Sequence, residues 1–174
     1  MADAVNIEDF RRMAKRRLPK VIYDYIEGGS YDEVTLRANR ADLDAIRLKQ
    51  RVLIDVSRRS LATTVLGEEF AMPLILGPVG SLGAFARRGE VAAARVAERV
   101  GINFCLSTGS ICSIEEVRAA REKPLWFQLY INRDRPHAQA LIERAAAAAC
   151  PVLMVTIDSQ IFAKREQSVR NGFT

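Results

Sequence analysis

From residue 70 onward, short apolar runs rich in β-branched and aromatic residues alternate with Ala-, Glu- and Arg-rich stretches. No other feature restricts the fold as much. The alternation predicts strands at 73–77, 103–106, 125–130 and 152–158, separated by helices at 88–100, 114–122 and 136–149. Strands that are apolar at nearly every position suit a parallel sheet with both faces covered, and right-handed crossovers fix its winding. Two α/β architectures satisfy this pattern, a doubly wound open sheet and a (β/α)8 barrel. A dinucleotide-binding open sheet would carry Gly-x-Gly-x-x-Gly after its first strand. The run Gly77-Pro78-Val79-Gly80-Ser81-Leu82-Gly83 has a different spacing, and no Lys-Ser or Lys-Thr follows it.

The polar residues favour the barrel. Each predicted strand ends in hydrogen-bonding or irregular chemistry: Gly77-Pro78, Ser107-Thr108, Gln128 with Tyr130, and Thr156 with Asp158. Alternate residues of a strand share a face, so Trp126, Gln128 and Tyr130 point one way while Phe127 and Leu129 point the other. The same parity groups Met154, Thr156 and Asp158. Taken singly, Ser107, Thr108 and Ser113 could cap turns or a helix, and Gln128 could satisfy a core network. Four strand ends carrying such groups together match the active-site mouth of a barrel.

Upstream, residues 7–17 place Ile7, Phe10 and Met13 at helical spacing behind Asn6 as N-cap. Pro19 suits the first turn of a second helix running through Tyr23 and Tyr25, which Gly28-Gly29 can end with a left-handed cap. A third helix is expected over 32–43. The chain thus divides into a helical segment and lead-in at 1–68 and a βα region at 69–174. With 174 residues, 49% of them hydrophobic, area scaling gives about 70% burial and hence one real core. The longest apolar run, 145–157, contains Pro151 and is too short to span a bilayer. The 3 cysteines form no C-x-x-C pair and the single histidine, His137, stands apart from them, so neither a disulfide framework nor a metal site is expected. The net charge of +5 draws on Arg11-Arg12 and Lys15-Arg16-Arg17, a basic helix face without interleaved aromatics, read as solvated surface and not as a nucleic-acid site. No charged-then-apolar leader precedes the acidic start, and the expected location is cytoplasmic.

Five motifs carry a closer resemblance: LPKVIYDYIEGGSYDEVTLRANR (18–40), MPLILGPVG with ARRGE (72–90), LSTGSICSIEEV (106–117), WFQLYINRDR (126–135) and VTIDSQIFAKREQSVRNGF (155–173). In these the chain resembles the FMN-dependent L-2-hydroxy acid oxidase and dehydrogenase family, in register over nearly its whole length. The GPVG and ARRGE variants look most like the bacterial respiratory L-lactate dehydrogenases, with mandelate dehydrogenases close behind. Glycolate oxidases usually carry Thr where this chain has Val79. The resemblance implies N-terminal helices followed by the first four βα units of a TIM (β/α)8 barrel, an incomplete barrel, with FMN across its mouth.

It also implies roles. Pro78, Val79 and Gly80 would lend backbone groups beside the reactive N5 face of the flavin. Ser107, Gln128 and Thr156 match residues that hydrogen-bond the polar edge of the isoalloxazine, whose C=O and N–H groups need partners on leaving water. Tyr25 and Tyr130 match the two tyrosines that contact substrate. Arg165 matches an arginine that grips the substrate carboxylate through two parallel bonds.

Oxidation of a 2-hydroxy acid needs a base, for which histidine is the usual choice at neutral pH. His137, at the start of a predicted helix, reads as a surface residue. The family's catalytic histidine, its adjacent arginine, the lysine near flavin N1 and the phosphate site belong to later strands, so no catalytic residue is expected within these residues. The expectation is a truncated product of a longer coding sequence, inactive alone and weak or lacking in FMN binding. The rival is a catalytically dead half-barrel that assembles with a partner. For the intact enzyme the resemblance implies L-lactate oxidation, electron transfer to a quinone or other carrier, peripheral association with the inner face of the cell membrane, and a homo-oligomer.

Overall fold

The structure is a computed structural model and describes residues 4–158, 161 and 163–173. In chain order its elements are α1 (Ile7–Arg17), α2 (Lys20–Glu27), α3 (Val34–Ala45), β1 (Thr63–Val65), β2 (Glu68–Phe70), β3 (Ile75–Leu76) and α4 (Leu82–Phe85). There follow α5 (Gly89–Arg99), β4 (Asn103–Ser107), α6 (Ile114–Ala119), β5 (Trp126–Tyr130), α7 (Arg135–Ala147), β6 (Leu153–Thr156) and α8 (Glu166–Arg170). They fall into two compact units: α1, α2, α3 and α8 in one, and the elements from β1 to β6 in the other.

In the helical unit, α1 begins where the sequence predicts. The Asn6 side chain accepts from the Asp9 amide at 2.9 Å and the Asp9 carboxylate accepts from the Asn6 amide at 3.3 Å, a reciprocal cap worth roughly 1 kcal/mol. The backbone hydrogen bonds of Val5 and Asn6 hold the Asp9 carboxyl below its usual range, with Arg12 adding to the effect. An ion pair from Arg11 to Glu27 joins α1 to α2. The predicted left-handed cap at Gly28-Gly29 is not formed: Gly28 is extended, with φ −81° and ψ 153°. The left-handed residues lie further on, at Tyr31 (φ 49°) and Glu33 (φ 57°). Glu33 accepts the Gly29 amide through its side chain at 2.9 Å, and this local bond holds the turn that delays α3 to Val34.

In the βα unit the four strands β3-β4-β5-β6 are parallel and lie in sequence order. No reversal of order occurs, which removes the doubly wound alternative. Phe104, Leu106, Leu125, Phe127 and Leu129 pack against Val91, Ala94 and Ala97 of α5, Val117 of α6 and Leu141 of α7. Complete burial of a side chain such as Phe127 or Leu129 stabilises by roughly 1.5–3 kcal/mol. The alternate residues Cys105 and Trp126 lie in a second cluster with Phe70, Val65, Ile75 and Val152. Helices therefore cover only one face of the sheet, contrary to the expectation that both would be covered. This is the arrangement of the first four βα units of a (β/α)8 barrel, with the helices outside.

The hairpin β1-β2 is absent from the sequence reading. Its strands have three residues each and its turn runs through Leu66 (φ 49°) and Gly67 (φ 84°), the pair of positive φ values that a tight two-residue hairpin loop requires. Leucine is a poor signal for such a turn. Phe70 lies against Trp126 with ring centroids 6.0 Å apart. Glu68 accepts from the Asn103 side-chain Nδ2 at 2.6 Å and the Trp126 indole at 3.2 Å, so the hairpin closes the N-terminal end of the inner face. The short α4 and α8 also went unread, and two predicted strands are shorter than expected, at Ile75–Leu76 and Leu153–Thr156. On β6, Leu153, Met154 and Val155 are each about 40% exposed, in contrast with buried β4 and β5, because β6 is the outermost strand. Among the described residues no helix is long and apolar enough to cross a membrane.

Candidate cofactor-binding rim

The C-terminal ends of β4, β5 and β6 carry one continuous hydrogen-bond series. Ser107 Oγ donates to Gln128 Oε1 at 3.1 Å, and Gln128 Nε2 donates to Thr156 Oγ1 at 2.8 Å. The parallel register aligns Ser107 with Gln128, and Tyr130 with Thr156. Ser107 and Gln128 are buried, at 5% and 1% exposure, whereas Thr156 is half-buried and Tyr130 is 43% exposed. Thr108, not singled out from the sequence as a binding residue, ties the rim together. Its hydroxyl donates to Gln128 O at 2.6 Å and accepts from the Tyr130 amide at 3.1 Å. Beneath the rim, burial pushes the Cys105 thiol up to about 12, which leaves it inert beside a cofactor.

The loop after β3 joins this rim. The Ser81 amide donates to Gly109 O at 2.8 Å, and the Gly109 amide donates to Ser107 Oγ at 3.1 Å, so 80–81 runs beside 107–109. Pro78 is half-buried; Val79 and Gly80 are exposed. A Cβ added at Gly77 would meet nothing within 4 Å, and one at Gly80 would meet only Gly109 O, at 3.9 Å. Neither glycine has a positive φ. The chain itself therefore gives no steric reason for glycine at either position, whereas a flat group laid against the backbone does. The donor set fits such a group as well: Thr156 accepts from Gln128 and keeps its own hydroxyl proton to give. Pro78, Val79, Gly80, Ser107, Gln128 and Thr156 are the residues that would hold the polar face and edge of a flavin ring.

Tyr25 and Arg165 lie together in the helical unit. The Arg165 guanidinium stacks over the Tyr25 ring at 4.7 Å and donates to Tyr25 O at 2.9 Å and Gly28 O at 3.1 Å. It thereby binds the last turn of α2, using two of the five N–H donors an arginine carries. Phe173 meets Tyr25 edge-on at 5.0 Å. Asp24, the residue before Tyr25, accepts from Lys20, from Asn171 at 2.8 Å and from Gln167 at 3.4 Å, which joins α2 to α8. The Lys20 and Asn171 hydrogen bonds hold its carboxyl below the usual range.

A cleft of about 310 Å³ opens at the other end of the strands, lined by Phe70, Ile102, Pro124, Pro151 and Arg121 among others. It is mainly apolar and lacks the convergent hydrogen-bonding series of the rim, which is the better candidate for chemistry. His137 is exposed at the start of α7, where its amide donates to Asp134 Oδ1 at 3.1 Å. Among the described residues no group of three or more His, Cys, Asp or Glu side chains could hold a metal ion.

Comparison with known proteins agrees with this geometry. The chain is 48% identical over 166 residues to an L-lactate dehydrogenase of Vibrio parahaemolyticus, which covers 95% of the chain and 44% of that protein. An L-lactate dehydrogenase of Chromohalobacter salexigens is 50% identical, over 95% of the chain and 42% of that protein. The chain thus spans less than half the length of these relatives. Among solved structures, a soluble mutant of the membrane-associated (S)-mandelate dehydrogenase from Pseudomonas putida superposes with a TM-score of 0.93 at 42% identity, over 99% of the chain and 49% of that structure. A mandelate oxidase superposes with a TM-score of 0.92 at 34% identity, over 99% and 50%. Residues 14–174 match the family described as FMN-dependent dehydrogenase, the family to which this half-barrel, with its polar rim and glycine-backed loop, belongs.

Proposed function

We propose that the chain supplies the ring-binding half of a flavoenzyme that oxidises an L-2-hydroxy acid, L-lactate in preference to mandelate or glycolate, to the 2-oxo acid. The observation that carries this reading is the Ser107–Gln128–Thr156 series at the strand ends, beside a loop whose glycines leave open space. FMN, when bound, would supply the acceptor for the hydride equivalent that leaves the substrate Cα. Ser107, Gln128 and Thr156 would hold the polar edge of the ring, and the backbone at Pro78, Val79 and Gly80 would line the ring. Gln128 is held from both sides, so its carboxamide is orientated before any ligand arrives. Tyr25, Tyr130 and Arg165 are the substrate contacts. Arg165 keeps three N–H donors beyond those given to α2, enough for a bidentate grip on a carboxylate. The preference for L-lactate rests on the relatives, which are L-lactate dehydrogenases at 48–50% identity.

Binding and orientation are what these residues provide; proton removal is not among their roles, since the only histidine is exposed on α7. The 174 residues alone therefore do not turn over. The reading extends to a quinone as electron acceptor, to a homo-oligomer, and to peripheral association with the inner face of the cell membrane. One solved relative is described as a monotopic membrane protein, which supports the last of these. Nuclear magnetic resonance of the chain, with FMN in an excess large enough to populate weak binding, tests the proposal: amide shifts should move at Gly80, Ser107, Gln128 and Thr156, and L-lactate should not bleach the flavin. Unmoved rim amides would overturn the binding role, and lactate-dependent bleaching by the chain alone would overturn the inactivity. A second reading, assembly with another polypeptide without catalysis, is favoured by the exposed apolar residues of β6. Light-scattering mass that rises with concentration, without any flavin response, would support it.

A further inference from the structure

Glu90 stands in the first turn of α5, where an acidic side chain ordinarily faces water and compensates the helix dipole. Here it is completely buried. Taking a carboxylate out of water is costly unless it is hydrogen-bonded, and the partners of this one come from two different connections of the sheet. Oε1 accepts from the Gly83 amide at 3.0 Å, in the segment after β3, and from the Ile111 amide at 3.0 Å, in the segment after β4. The other oxygen, Oε2, is buried without a hydrogen-bond partner among the described residues, so Oε1 alone carries both bonds. Burial alone would raise the carboxyl pKa, but the backbone hydrogen bonds, including those of Ile111 and Gly83, outweigh it and keep the group ionised.

The packing at this point allows little freedom. A Cβ on Gly83 would lie 3.0 Å from Ile111 Cβ and 3.1 Å from Glu90 Oε2, so a side chain at residue 83 would push the two segments apart by a few tenths of an ångström. Two residues toward the rim, Ser81 N bonds Gly109 O, and Gly109 N in turn bonds Ser107 Oγ. Residues 80–83 and 107–111 thus form a seam with the Glu90 carboxylate at its buried end and the ring-binding groups at its open end. We infer that Glu90 is a positioning residue, which sets the backbone of the Pro78–Gly80 loop against Ser107 by clasping the Gly83 and Ile111 amides. The inference rests on the proposed flavin-binding role of that rim.

Two substitutions separate reach from charge. Glu90→Asp keeps the charge but withdraws the carboxylate by one methylene; Glu90→Gln keeps an oxygen in place and removes the charge. Amide hydrogen exchange in the chain should be about tenfold faster at Gly83 and Ile111 in Glu90→Asp than in the unaltered protein, with β5 amides such as Phe127 and Leu129 changed far less. In Glu90→Gln the acceleration at those amides should stay within about threefold. Equal acceleration over β5, which a merely structural role predicts, or a larger effect in Glu90→Gln than in Glu90→Asp, would overturn the inference. With excess FMN, the shift change at Gly80 should fall in Glu90→Asp while that at Thr156 is retained; full retention at Gly80 would also overturn it. If FMN moves no rim amide in the unaltered chain, the flavin reading fails, and the exchange pattern still decides whether Glu90 clasps the loops.

Discussion

Replacing Gln128 by leucine isolates what the rim series contributes to stability. Leucine fills nearly the same volume at a site that is 1% exposed, so the cavity cost is small and the polar cost dominates. The substitution removes the acceptor of Ser107 Oγ and the donor to Thr156. The Thr108 amide is protected, because it also bonds the Gln128 backbone carbonyl at 3.0 Å. Thr156 is half-buried and can turn to water, leaving a net loss of about 1 kcal/mol. The Ser107 O–H, 5% exposed, loses its acceptor at a cost of about 1–3 kcal/mol, while its oxygen keeps the Gly109 amide. The sum, about 2–4 kcal/mol, corresponds to a fall in Tm of roughly 4–16 °C for a chain of this length. Thermal and urea unfolding followed by circular dichroism measures it. Adding Ser107→Ala removes the stranded donor but also the acceptor of the Gly109 amide, so the two effects oppose and the double variant should lie within about 1 kcal/mol of the single one. A single variant within about 0.5 kcal/mol of the parent, or a double variant more than about 2 kcal/mol less stable than the single, would refute the reasoning.

Three further outcomes follow from local chemistry. The hydrogen bonds from Arg144 hold Glu115 at a pKa of about 2, below its ordinary 4.5, so the pair's contribution is complete above pH 4.5 and is lost as pH falls through 2. Both side chains are about half exposed, so the difference between the parent and Glu115→Gln should be at most about 1 kcal/mol at neutral pH and should vanish near pH 2 in acid-unfolding curves. Burial raises the Cys105 thiol to about 12 and the Cys150 thiol to about 11, so neither should react with a thiol reagent at pH 8 until denaturant unfolds the chain; mass spectrometry of labelled peptides reads this, and prompt labelling of Cys105 in the native protein would contradict it. Ser113→Ala removes the side-chain oxygen that accepts the Glu116 amide at 3.1 Å and should cost about 1 kcal/mol in thermal unfolding.

What the sequence makes legible is what depends on short-range periodicity. The two-residue repeat groups Gln128 with Tyr130 and Thr156 with Asp158 within their strands, the family resemblance joins Ser107 to them, and the structure finds Ser107, Gln128 and Thr156 in a single hydrogen-bond series. Caps such as Asn6 and Ser113 are equally local and mark helix starts well. Three features resist such reading for physical reasons. The hairpin turns on a leucine in a left-handed conformation, which its neighbours enforce and its own propensity opposes. The stacking of Arg165 on Tyr25 joins groups 140 residues apart, where Lys164-Arg165-Glu166 reads as ordinary surface charge. Glu90 looks like a dipole-compensating acid because its burial depends on two distant loops; the glycines that flank its contacts, Gly83 and Gly89, were the available signal.

The hairpin that closes the lower end of the inner face also divides labour along the strands. Trp126 and Gln128 are neighbours on the same face of β5, yet one is tied to Glu68 below and the other to Ser107 and Thr156 above. Specificity can therefore drift by substitution at the upper level while the lower level keeps the sheet assembled. Changes at Glu68, Phe70 or Trp126 should lower thermal tolerance without altering which ring the mouth accepts.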